Sequence, residues 1–123
     1  MKTLQKPKIW LIIAAVLHTG PGVIIPHMEM GGGTENLALI LYFLCVTVYL
    51  LYVAFMTEGQ NQARLSVVLC APVILFFIIG AVMKLEMLGM PVAPFPEALF
   101  PLIVWSLPVI TGILNWNAEA ESV

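Results

Sequence analysis

Histidine is the side chain whose ordinary pKa lies closest to neutrality, and this chain of 123 residues has two. His18 lies inside a long apolar run, directly before Gly20-Pro21-Gly22. Pro21 has no amide to offer the carbonyl of Leu17, and its ring clashes there, so a kink or break is expected. An imidazole beside freed carbonyls suits a ligand, a proton or an ion. Tyr42, Cys45, Tyr49 and Tyr52 recur at spacings that keep them on one side of a helix. Pro101, Trp105, Pro108 and Gly112 share a face in the same way, with Ser106 next to Trp105. Matching these residues by depth groups His18, Cys45, Tyr49, Trp105 and Ser106 as a candidate ligand-binding cluster. The blander alternative is a neutral histidine bonded to a carbonyl or hydroxyl, among packed aromatic rings.

A second constellation is Pro26-His27-Met28-Glu29-Met30. Thioether and imidazole together suit Cu(I), so His27, Met28, Glu29 and Met30 form a candidate site for copper or another soft metal. Met83 and Met87 are expected to share a helix face nearby. Methionine also fills helix ends without any metal. Gly31-Gly32-Gly33 follows no strand and opens no phosphate-binding motif, so nucleotide binding is not supported. Cys45 and Cys70 differ in expected depth by too much for a disulfide and read as small apolar residues. No nucleophile–base pair, carboxylate pair or histidine-rich motif is present, which argues against an enzyme.

The elements that must hold these residues follow from composition. The chain is 61% hydrophobic and 10% charged, whereas soluble domains are about 25% charged. A small soluble domain could not bury that much apolar surface. A net charge of −2 gives no basic footprint for nucleic acid. Every Lys, Arg and Glu falls outside Ile9–Ile25, Leu37–Met56, Leu65–Met83 and Ala98–Leu114. Each of these approaches the roughly 20 apolar residues that a helix needs to cross a bilayer. The expected fold is all-α: an integral membrane four-helix bundle, up-and-down, with proline-interrupted spans and no soluble domain. The first segment, although preceded by lysines, lacks a small-x-small cleavage site and reads as a retained span.

Orientation follows from basic residues beside the spans. Lys2, Lys6, Lys8 and Arg64 fall on one side and Lys84 on the other. Both termini are therefore expected in the cytoplasm of a bacterial cell, with Thr57–Arg64 as an inner turn. Pro91, Pro94 and Pro96 should make the second outer loop stiff and extended, and Glu97 should open the last helix as a first-turn acid. Asn115-Trp116-Asn117 reads as an interface anchor ahead of an acidic end at Glu119 and Glu121.

In length and span number the chain resembles the small multidrug-resistance transporters, whose hallmark is a glutamate inside the first span. Here that span has His18 and no carboxylate, so their mechanism is not carried over. The overall layout also resembles DoxX-like membrane proteins. Two functions are compatible with the residues. One is a small-molecule, proton or metal-ion binding or transport unit centred on His18. The other is a non-catalytic accessory or assembly subunit, with polar stripes serving helix–helix contacts. The expected partners are the lipid bilayer and either further copies of the chain or another membrane protein.

Overall fold

Backbone amides and carbonyls in segments this apolar have no water to turn to, and a helix satisfies them within the segment. The computed structural model of the chain describes residues 3–87 and 89–118. Lys2, Glu119 and Glu121 lie outside the described residues. Among those described the chain is mostly helical, with four helices. They are α1 (Pro7–Glu29), α2 (Leu37–Met56), α3 (Gly59–Val82) and α4 (Leu99–Leu114). The first three are long and apolar enough to cross a membrane. The fourth is as apolar but has 16 residues, about 24 Å at 1.5 Å each.

The helices are continuous where prolines were expected to interrupt them. α3 passes through Pro72 and α4 through Pro108 without a break. Pro101 falls in the first turn of α4, where its missing amide has no intrahelical role. α1 also runs on, but it widens into a π-helical stretch over His18–Ile24. In that pattern an amide serves the carbonyl five residues back. The carbonyl of Leu17 thus receives the amide of Gly22 instead of the one that Pro21 lacks, and Ile25 closes the stretch by donating to Gly20.

Helix ends also differ from expectation. The turn between α2 and α3 is only Thr57 and Glu58, and Gly59–Arg64 is already helical. Gly59, at φ +60, makes the reversal in a left-handed conformation that glycine adopts freely. The last carbonyls of α2 would be orphans there. Gln62 answers them: its amide nitrogen donates to Val53, Ala54 and Thr57 oxygens at 3.2, 3.0 and 2.9 Å. Beyond α3, Lys84 takes a left-handed conformation and Leu85 donates back to Gly80 at 2.9 Å. The chain then forms a small antiparallel hairpin, Glu86–Met87 with Met90–Pro91. Met83 and Met87 therefore do not share a helix face. The proline-rich loop is not extended either, because Val92 folds back over Gly80. Glu97 precedes α4 and is not in its first turn.

The core joins Leu11, Ala14 and Ala15 of α1 with Leu50, Val53 and Ala54 of α2, Cys70 of α3 and Trp105 of α4. α1 lies between α2 and α4, and α3 packs chiefly on α4. That last contact rests on small residues. A Cβ added at Gly112 would meet the Ala63 carbonyl oxygen at 2.6 Å and a Val67 methyl at 2.8 Å. Neither atom can move aside cheaply, since one is backbone and both sit in packed helices. At one end, Asn115 donates to the Gln5 carbonyl at 2.6 Å. At the same end Arg64 donates to the Trp116 carbonyl at 3.1 Å and to Asn117 Oδ1 at 3.3 Å.

Two substitutions test this packing. Gln62→Leu takes the side-chain donor from the Ala54 and Thr57 carbonyls, while Val53 keeps the Thr57 hydroxyl, and should lower stability by about 1–3 kcal/mol, the cost of orphaned buried polar groups. Gly112→Val should separate α3 from α4 and cost about 1–3 kcal/mol or more, as overpacking does. Thermal unfolding in a mild detergent measures both, and an unchanged midpoint for either would remove that contact from the account.

Candidate functional site

His18 is the first residue of the widened stretch of α1. Its Nε2 lies 2.8 Å from the carbonyl oxygen of Phe43 in α2. A carbonyl can only accept, so Nε2 carries the proton and donates. The imidazole also meets the indole of Trp105 edge to face, with centroids 5.5 Å apart and planes at 76°. Trp105 is buried, and it brings α4 to the same level. One residue along, Thr19 donates to the Ala15 carbonyl at 2.7 Å. Its oxygen also lies 2.6 Å from the Thr47 hydroxyl across the α1–α2 contact. Three helices therefore meet at one level through an imidazole, an indole and a pair of hydroxyls.

Of the five residues grouped from sequence, His18 and Trp105 come together. Ser106 is half-buried beside them in the chain but donates to Ile103 of its own helix at 2.7 Å. Cys45 and Tyr49 are on the outer face of α2, away from His18. Cys45 is exposed and turns its thiol to Leu41 at 3.5 Å. Tyr49 is 56% exposed, and its stripe companions Tyr42 and Tyr52 are 70% and 57% exposed. Their shared face is real, but it points outward. The inward face of α2 is made instead by Leu50, Val53 and Ala54, with Phe43 and Thr47 serving α1 through the bonds above. In a helix apolar all round, hydroxyl count does not choose the inner face; close approach and interhelical hydrogen bonds do.

Sequence reasoning passed over Thr19, Thr47 and Gln62. Thr19 and Thr47 had a usable signal: two hydroxyls placed at matching depth in consecutive antiparallel spans. Gln62 had none while its segment was read as a turn. The Phe43 carbonyl carries no signal at all, since every residue has one.

The methionine-rich run is partly assembled. His27 and Met30 line a cleft of about 170 Å³ together with Glu35 and Asn36. Met28 and Glu29 point elsewhere and are exposed. Among the described residues no three His, Cys, Asp or Glu side chains converge as a metal set. Of the four residues read as a soft-metal set, only the His27 imidazole and the Met30 thioether therefore line this cleft.

No family model matches the chain, and neither a curated protein nor a solved structure is found to be similar to it.

Two measurements follow. His18→Ala deletes one interhelical hydrogen bond and an edge contact, so stability should fall by about 0.6–1.7 kcal/mol, the range of such bonds in membrane helices. A larger loss would show that the ring fills space no relaxation can close. For the cleft, elemental analysis after loading with Cu(I) tests the copper expectation: if the metal is held there, His27→Ala and Met30→Ala each reduce it. Metal-free protein after loading would exclude copper there.

Proposed function

We propose that the chain is an integral membrane protein of four spans, arranged up-and-down, that serves as a non-catalytic assembly or accessory subunit. α4 completes the crossing with help from the turns that flank it. Both termini and the α2–α3 turn lie on the cytoplasmic side of a bacterial membrane, as the excess of Lys and Arg there favours. The surface that works is the outward face of α2.

The observation that carries this reading is the set of phenols on that face. Tyr42, Tyr49 and Tyr52 make no hydrogen bond among the described residues. A hydroxyl facing hydrocarbon without a partner is costly, and water is absent at the depth of Tyr49. Another transmembrane helix laid along α2 would supply acceptors for these hydroxyls and flat contact for the rings. His18, in this account, fastens α1 to α2 from the inside and leaves the outer face rigid.

A second reading keeps His18 as a proton, small-molecule or metal-ion site. What favours it is the imidazole's other nitrogen. Nδ1 makes no hydrogen bond among the described residues, and it is not sealed among buried atoms. It also stands at the head of a π-helical stretch, a feature frequent at functional sites.

One comparison separates the two. Solubilised from its own membrane, the chain should migrate as a complex well above 13.5 kDa. Replacing Tyr42, Tyr49 and Tyr52 together by Phe should release it as a folded monomer, with helical circular dichroism retained. A complex that survives the triple replacement, with proton or ion flux in liposomes that His18→Ala abolishes, would instead establish the second reading.

A further inference from the structure

The hairpin end of α2 and α3 holds a cleft that His18 does not explain and that shares only Tyr52 with the tyrosine face. The two helices are joined by Thr57 and Glu58 alone, yet each packs more extensively on its other neighbour. The space left between their ends is an open cleft of about 770 Å³. Its lining is graded by position. Glu58, Asn61 and Arg64 come from the turn and the start of α3, while Tyr52, Phe55 and Leu65 come from the apolar segments beneath.

The charged groups at its rim are only partly used. Arg64 donates through Nε to Trp116 and through Nη2 to Asn117, and its guanidinium lies 5.4 Å from the Trp116 ring centroid. A guanidinium has five N–H donors in a planar fork, so donors suited to a phosphate remain. The Glu58 carboxylate makes no hydrogen bond or ion pair among the described residues. One cation and one anion thus line the cleft above an apolar floor, where the Lys8 ammonium lies 5.3 Å from the Phe55 ring centroid.

We propose that this cleft binds the headgroup of a zwitterionic phospholipid that carries a primary ammonium. The phosphate lies at Arg64, the ammonium at Glu58, and the upper acyl chain runs over Leu65. Opposite charges at the rim match a ligand that is itself a dipole, and the carboxylate disfavours a purely anionic headgroup. The exposed aromatic and aliphatic floor requires an amphiphile, which selects a bilayer lipid over a soluble phosphate ester. The ammonium donates N–H bonds to a carboxylate, whereas a trimethylated ammonium has none to give. This inference rests on the membrane-spanning reading of the chain but not on its role as an assembly subunit.

The test is native mass spectrometry of the full chain in mild detergent. It is incubated with equal amounts of phosphatidylethanolamine and phosphatidylcholine bearing the same acyl chains. The wild-type chain should retain phosphatidylethanolamine with about threefold preference, the scale an exposed ion pair supports. Glu58→Gln should bring that ratio to unity without moving the thermal midpoint, because the exposed carboxylate has no hydrogen bond or ion pair to lose among the described residues. Arg64→Gln should lower retention of both lipids. Equal retention by the wild type, or a preference that survives Glu58→Gln, overturns the lipid site while leaving the membrane reading intact. A chain that stays dispersed without detergent overturns both.

Discussion

The missing amide of Pro21 is the constraint from which the rest of the interior follows. In water an orphaned carbonyl finds a solvent molecule; in an apolar segment it must find a protein donor. The chain resolves this by moving the acceptor pattern along by one residue, so that Gly22 serves Leu17. That shift enlarges one turn of α1 without breaking it. Within the same stretch His18 bonds the Phe43 carbonyl and Thr19 bonds Thr47, side-chain hydrogen bonds that join α1 to α2. Gly22 is suited to the task. A Cβ there would come within 3.2 Å of the Leu17 oxygen and reach the edge of the imidazole.

The broad fold was legible because charge is so informative in an apolar chain. Glutamate, lysine and arginine cannot enter hydrocarbon cheaply, so their positions alone mark out helices. α2 occupies the same residues as the segment read between Asn36 and Thr57. The end of α3 near the turn was less legible, because Gln60, Asn61, Gln62 and Arg64 are polar and polarity was taken to mean a loop. Gln62 is polar for the opposite reason: it is 7% exposed and satisfies the carbonyls of the neighbouring helix end.

The candidate site was half legible, and the division has a physical cause. Depth could be counted from helix rise, which correctly brought His18 level with Trp105. Rotation could not be deduced. A helix that is apolar on every side has no amphipathic signal to orient it, so a tyrosine stripe fits the inside or the outside equally well in sequence. What rotated α2 was the chance for Leu50, Val53 and Ala54 to pack against α1, together with a backbone carbonyl that no residue code reveals. The same limit applies to α4, where Gly112 and Pro108 face inward because a bare backbone lets α3 come close.

The bond between Asn115 and Gln5 joins residues 110 positions apart. A chain synthesised from its amino end has α1, α2 and α3 in hand long before either half of that bond can meet. Until α4 arrives, α1 has one flank covered by α2 and the other bare, and the edge of His18 that Trp105 will cover is open. α3 waits too, since its chief neighbour is the helix made last. The first and third helices thus share one dependence, on contacts that only α4 supplies. Without α4, the small-residue seam of α3 that Gly112 meets would lie open.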